Sequence, residues 1–200
     1  MPHAITVIDG VTYPSVTTIT GIKPKPWLDE WLKKPRSAKI VKLSSQIGTA
    51  FHALIEKRLE YEYIDGPITK RLRAMFREFS EWAYTNEIVT IYQDMRVVSK
   101  AHCYSGTLDW IGYHKDYPDE LIIIDWKTSK GIYEDMDLQL VAYAKAYEEQ
   151  TGEQIKRGLI VNIPKKHGKH KIRIREFKLT KHVFSRFLKL REDYREQHGE

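Results

Sequence analysis

Cysteine is almost missing from this sequence: Cys103 is the only one in 200 residues. A lone thiol permits no internal disulfide and no cysteine-ligated iron–sulfur cluster. Any metal must then be held by oxygen and nitrogen ligands, and the chain reads as intracellular. No apolar run reaches the ~18 residues a membrane span needs. The first residues lack an apolar signal core and an Arg- and Ser-rich transit composition. No Gly-x-x-x-x-Gly-Lys loop is present to cradle a nucleotide, so no ATP is expected to be used. Repeats and low-complexity tracts are missing too. The expectation is a single domain over 1–200, with an N-terminal hairpin and helical segment (about 1–43) packed on the core.

What is present is basic. Thirty-three Lys and Arg outnumber 27 Asp and Glu, giving a formal charge of +6. That favours a polyanionic partner without proving one. An apolar fraction of 42% suits a chain that buries a core.

Ile5 to Tyr13 reads as a hairpin around Asp9-Gly10. Ser15 is a candidate N-cap for a short helix ending at Gly21. After the extended Lys23-Pro-Lys-Pro26, the residues Trp27, Leu28, Trp31 and Leu32 recur at helical spacing. Longer helices are expected from Ser44 to Glu62 and from Pro67, in a first turn, to Asn86. Strands follow over 88–99, 104–114 and 121–128, with the all-apolar Leu121 to Ile124 marking a central strand. A helix over 134–149 stopping at Gly152, strands over 155–163 and 171–179, and a final helix from Thr180 to Gln197 complete the order. The fold class is α/β, with a mixed central sheet flanked by helices.

Two strands carry the chemistry. Ser105-Gly-Thr-Leu-Asp109-Trp and Leu121-Ile-Ile-Ile-Asp125-Trp-Lys127 flank Asp116-Tyr-Pro-Asp119, a turn composition. Paired as a hairpin with Asp116 near Pro118 at the turn, they set Asp109 beside Asp125. Opposed like charges destabilise a sheet, and a divalent cation is the natural reason to tolerate them. Lys127 shares a face with Asp125. The expected ions are Mg²⁺ or Mn²⁺, one or two, held by Asp109, Asp125 and the backbone carbonyl of Trp126. Lys127 would orient or deprotonate a water, with its pKa depressed if desolvated, or stabilise developing charge.

Other residues are weaker candidates. His52 and Glu56 lie one helical turn apart beside the apolar stripe, and His52 could complete a metal shell. Gly48 is expected to permit close helix-to-sheet approach. Gln139 and Tyr143, also one turn apart, follow the Asp125/Lys127 strand. Lys165, Lys166, Lys169, Arg173 and Arg175 could contact phosphates. Trp27, Trp31, Tyr61 and Tyr63 could stack bases.

Together these motifs resemble the PD-(D/E)xK nuclease superfamily, in its RecB-type exonuclease branch. The matching pieces are Gly48-Thr-Ala-Phe-His52, Gly106-Thr-Leu-Asp109, Ile124-Asp125-Trp-Lys127 and Gln139-Leu-Val-Ala-Tyr143. Tyr13-Pro-Ser-Val-Thr-Thr-Ile19 resembles a segment near the start of mitochondrial genome maintenance exonuclease and its phage relatives. The resemblance spans about residues 12 to 180. It implies a restriction-endonuclease-like core and metal-dependent cleavage of DNA, exonucleolytic and on single-stranded ends. It implies His52, Asp109 and Asp125 at the metal, Lys127 as catalytic, and Gln139 and Tyr143 as supporting. Asp94 stands where Glu is usual. Roles in replication, repair or recombination, a protein partner in those processes, and a bacterial or phage cytoplasm are further expectations. Two alternatives stay open: a flap or junction endonuclease, and a non-catalytic nucleic-acid-binding protein.

Overall fold

The computed structural model describes residues 5–60, 64, 66–165 and 172–199. The first hairpin pairs β1 (Ile5–Ile8) with β2 (Val11–Pro14). Asp9 and Gly10 both have positive φ, 51° and 77°, as a two-residue turn of this hand demands. Ser15 then caps α1 (Val16–Gly21), its hydroxyl accepting from the Thr18 amide. Helix α2 (Pro26–Leu32) leads into α3 (Ser37–Leu59) and α4 (Lys70–Thr85).

Strands β3 (Val89–Ser99), β4 (Tyr104–His114) and β5 (Tyr117–Lys127) form a meander. Helix α5 (Glu134–Thr151) crosses over to β6 (Arg157–Asn162), which lies parallel to β5. Strand β7 (Arg173–Lys178) returns antiparallel, and α6 (Lys181–His198) closes the chain. The sheet order is β3-β4-β5-β6-β7, with β5 in the middle. This is the mixed sheet flanked by helices read from the sequence.

The sheet is covered on both faces. Helices α1, α5 and α6 bury one side with Ile123, Leu108 and Ile160. Helices α3 and α4 bury the other with Ile122, Ile124, Trp126 and Val161. Trp126 anchors that second side, its ring centroid 5.2 Å from Phe79 and 5.7 Å from Trp82. Because side chains alternate along a strand, Asp125 and Lys127 face the α5 side. No helix among the described residues is long and apolar enough to cross a membrane.

Several boundaries differ from the sequence reading. The β4–β5 turn is Lys115-Asp116, with His114 opposite Tyr117, so Pro118 lies inside β5. An irregularity in register between Gly112 and His114 allows this. Helix α3 begins at Ser37 rather than Ser44. Helix α4 is capped by Thr69, which places Pro67 ahead of it. Gly48 is not obligatory: a Cβ there would stand 3.4 Å from Thr128 Oγ1, an ordinary contact. The close approach is at Gly106, where a Cβ would fall 2.4 Å from the Tyr143 ring.

Candidate active site

The β4–β5 ladder runs through Gly112↔Ile122, Ile111↔Ile123 and Trp110↔Ile124 and ends there. Asp109 and Asp125 are the next residues along. They are neighbours, as expected, but not a directly opposed ladder pair. Asp109 instead turns its carboxylate into the gap, and Oδ2 accepts the Trp126 amide at 2.8 Å. A side chain thus stands in for the missing backbone acceptor. The N–H and C=O of one strand residue point the same way, so the Trp126 carbonyl faces this gap too. The neighbouring Lys127 carbonyl points the other way, accepting from Ile163 at 2.7 Å.

Asp125 is 3% exposed. Its Oδ1 accepts from Lys127 Nζ at 2.7 Å. Oδ2 is as close, at 2.6 Å, but there the angle makes no hydrogen bond, and that oxygen is buried without one. Burial, then the Asp125 charge, pushes Asp109 from 3.8 up to about 6, against the pull of His52, Lys127 and the Trp126 amide. Burial pulls Lys127 down, but Asp125 and Asp109 outweigh it and hold the amine above its ordinary value. The two carboxylates thus oppose the depressed amine that desolvation alone would give. Two carboxylates repel through a low-dielectric gap, and one lysine only partly offsets them.

Helix α3 brings His52 to the gap, with Nδ1 3.6 Å from Asp109 Oδ1. A small cleft of ≈ 210 Å³ is bounded by His52, Glu56, Gln93, Asp94, Asp109 and Trp126. Glu56 titrates above its ordinary value through burial and the Asp94 charge. Asp94 is exposed, with φ 47°, and drops out of the β3–β4 ladder. Gln93 Nε2 donates to the Glu56 carbonyl at 3.2 Å, tying β3 to α3.

On the α5 side, Gln139 donates to Thr20 Oγ1 at 3.2 Å and so links α5 to α1. Tyr143 is 6% exposed, against Gly106. Burial and the Asp125 and Asp109 charges raise its hydroxyl, which stays protonated. Of the basic residues, Arg175 donates to Asp137 at 2.5 Å, Arg173 to the Lys130 carbonyl, and Lys165 to Ser44. Trp27 is 64% exposed and Trp31 half-buried, so neither belongs to the core. Lys166, Lys169, His170, Lys171, Tyr61 and Tyr63 lie outside the described residues.

One contributor went unread in the sequence. Asn162, fully buried at the end of β6, donates to the Lys127 carbonyl at 3.2 Å and to the Ser129 carbonyl at 3.0 Å. It braces the strand end that carries Lys127. The available signal was a lone amide closing the apolar run Leu159-Ile-Val.

Among the described residues, no three His, Cys, Asp or Glu side chains already converge as a ligand set. The donor chemistry nonetheless fits a divalent cation. Hard carboxylate oxygens, one of them buried without a hydrogen bond, meet an imidazole at a point of excess negative charge.

No protein-family model and no curated protein matches the sequence. Solved structures do match. The chain is similar to solved exonucleases. An alkaline exonuclease from Laribacter hongkongensis aligns at 6% identity and TM-score 0.49, over 92% of this chain and 87% of that one. A protein from Eubacterium rectale described as "Putative exonuclease" aligns at 12% identity and TM-score 0.48, over 73% of this chain and 64% of its own. The chain therefore spans just under two thirds of that protein. SSO0001 aligns at 15% identity and TM-score 0.46, over 94% and 76%. These are likenesses of overall shape.

Proposed function

We propose that this protein is a metal-dependent nuclease that hydrolyses phosphodiester bonds of DNA, acting on single-stranded ends. The observation that carries this reading is the carboxylate pair at the ends of β4 and β5: Asp109, beside buried Asp125 and 3.6 Å from His52, is pushed up to about 6. Carboxylates perturbed by burial and by a like charge in a cleft cluster at functional sites, and a bound cation would supply the missing counter-charge.

Asp109, Asp125, His52 and the Trp126 carbonyl would hold Mg²⁺ or Mn²⁺. When bound, the ion supplies charge stabilisation at the phosphoryl group and acidifies a water. Lys127 stays cationic at neutral pH because the two carboxylates face it. It would donate a hydrogen bond and stabilise negative charge, while a cation on the two carboxylates would weaken their hold on its proton and allow it to deprotonate a water. Tyr143 keeps its proton and offers a second donor nearby. Asn162 and Gln139 position β5 and α5 around these groups. Glu56 and Asp94 add negative charge to the rim of the cleft. Work in replication, repair or recombination, with a partner from those processes, belongs to the same proposal.

The test is digestion of a linear single strand, labelled in turn at each end, against its circular form. Each is run with Mg²⁺, Mn²⁺ and EDTA, for the natural chain and Lys127→Ala. The expected result is metal-dependent loss of the linear strand alone, reduced about 10³-fold in the variant. Loss of the circle as well would establish an endonuclease instead. No hydrolysis by the natural chain, or full activity in the variant, would overturn the reading.

A further inference from the structure

Directly after Lys127 the chain enters a second, larger cleft of ≈ 1120 Å³, which the carboxylate site does not use. Its wall is assembled from five elements. Four cations line it: Arg71 from α4, Lys130 after β5, Lys165 after β6 and Arg173 from β7. Three hydroxyls, Ser44, Thr128 and Ser129, stand between them. Among the described residues no carboxylate takes part in this wall. Strands and helices from distant parts of the sequence have therefore brought one sign of charge together.

Lys165 is the telling member. Its amine is half-buried and donates to the Ser44 carbonyl at 2.8 Å and the Ser44 hydroxyl at 2.6 Å. No carboxylate pairs with it among the described residues. Burial alone pulls its titration down, with no opposing charge to restore it. A cation taken out of water without a counter-charge costs stability, and an anion in the cleft would offset that cost. The Ser44 and Thr128 hydroxyls add neutral donors suited to phosphate oxygens, whereas that of Ser129 is already given to the Gly131 carbonyl. A floor of cations and hydroxyls with no acidic member fits a phosphodiester group better than a carboxylate-seeking cation site.

The cleft also lies beside the proposed chemistry. Thr128 follows Lys127 in the chain, and α3 approaches it at Gly48. The same helix carries Ser44 into the cleft and His52 to the carboxylate pair. A strand whose phosphate sat here would have its neighbouring linkage close to Asp109 and Asp125.

We propose that this cleft seats a backbone phosphate of the nucleic-acid strand, next along from the bond at the carboxylate pair. The proposal rests on the nuclease reading for its ligand, but binding can be measured apart from cleavage. The experiment is fluorescence anisotropy of a labelled oligothymidylate with the full chain in EDTA, across a salt series. It compares the natural chain with Arg71→Gln, Lys165→Gln and the pair together. Lys178→Gln, at the other end of β7 from Arg173, is the control. The double variant is expected to bind about tenfold more weakly, with a salt slope shallower by about 0.7 for each phosphate it no longer neutralises. Lys178→Gln is expected to bind like the natural chain. Arg71 is exposed, so Arg71→Gln tests the cleft even if Lys165→Gln fails to fold.

Undiminished oligothymidylate binding in the folded variants would overturn the proposal. So would no binding by the natural chain, or displacement of a variant-sensitive signal by inorganic phosphate at equal concentration. Failure of the nuclease reading looks different. The natural chain would then bind oligothymidylate in this cleft-dependent way yet release nothing in the metal-dependent digestion.

Discussion

The two ends of β5 handle charge in opposite ways. At its start, Arg157 stacks 3.8 Å over the Tyr117 ring, pairs with Glu176 and lies 3.5 Å from Glu120. The Tyr117 hydroxyl donates to Glu176 at 2.7 Å. That hydrogen bond and Arg157 hold Glu176 below its ordinary carboxylate range. Two carboxylates share one cation here, and Glu120 Oε2 and Arg157 Nε are buried without hydrogen bonds, yet Glu176 keeps a low titration. At the far end two carboxylates also share one cation, but there burial and the second carboxylate push Asp109 up to about 6. One strand, one sheet and similar residue types give a settled end and an unsettled one. Proteins keep such local conflict where a ligand or reaction makes use of it.

The contrast can be broken at either end. Asp125→Ala should have the largest effect, lowering turnover about 10³-fold or more while the chain still folds and binds DNA. Steady-state cleavage and thermal melting together check it. Asn162→Ala should lower kcat about 10–100-fold, because Lys127 loses the brace on its strand end rather than any contact with substrate. If Asn162 were only structural, the loss would instead track the fraction unfolded.

Asp109→Asn should abolish activity yet raise the metal-free Tm by about 3–6 °C. The sign follows from the raised pKa. Folded Asp109 takes its proton at about 6, above the ordinary 3.8. Its cost is thus fully present above pH 6 and is relieved as pH falls from there toward 3.8. The natural chain should gain stability relative to Asp109→Asn across that window, read from melts at stepped pH. The smallest effect is expected at the settled end. Arg157→Ala faces partly exposed acids, so it should cost about 1 kcal/mol and leave cleavage unchanged.

Much of this architecture was legible in the sequence, and what escaped did so for physical reasons. Leu121 to Ile124, apolar at every position, marked the middle strand because burial on two faces leaves that signature. Pro118 obscured the start of β5, since Tyr-Pro-Asp reads as a turn. The real turn, Lys115-Asp116, carries no glycine to announce it. The first turns of α3 were missed because Ile40, Val41 and Leu43 stay exposed, so no buried stripe marks them. That Asp109 would lie beside Asp125 was readable from strand pairing alone. That the Asp109 side chain would replace a backbone acceptor was not, because it depends on where the ladder stops. Asn162 was hidden for the opposite reason: its bonds run to backbone atoms, which leave no partner in the sequence.

The most direct measurement is the melting temperature during titration with Mn²⁺, for the natural chain, Asp125→Ala and Arg157→Ala. A ligand that binds only the folded state raises Tm with its concentration. If the unsettled end of β5 is a cation seat, the natural chain and Arg157→Ala should rise together while Asp125→Ala stays flat. An equal rise in all three, or none in the natural chain, would contradict the account.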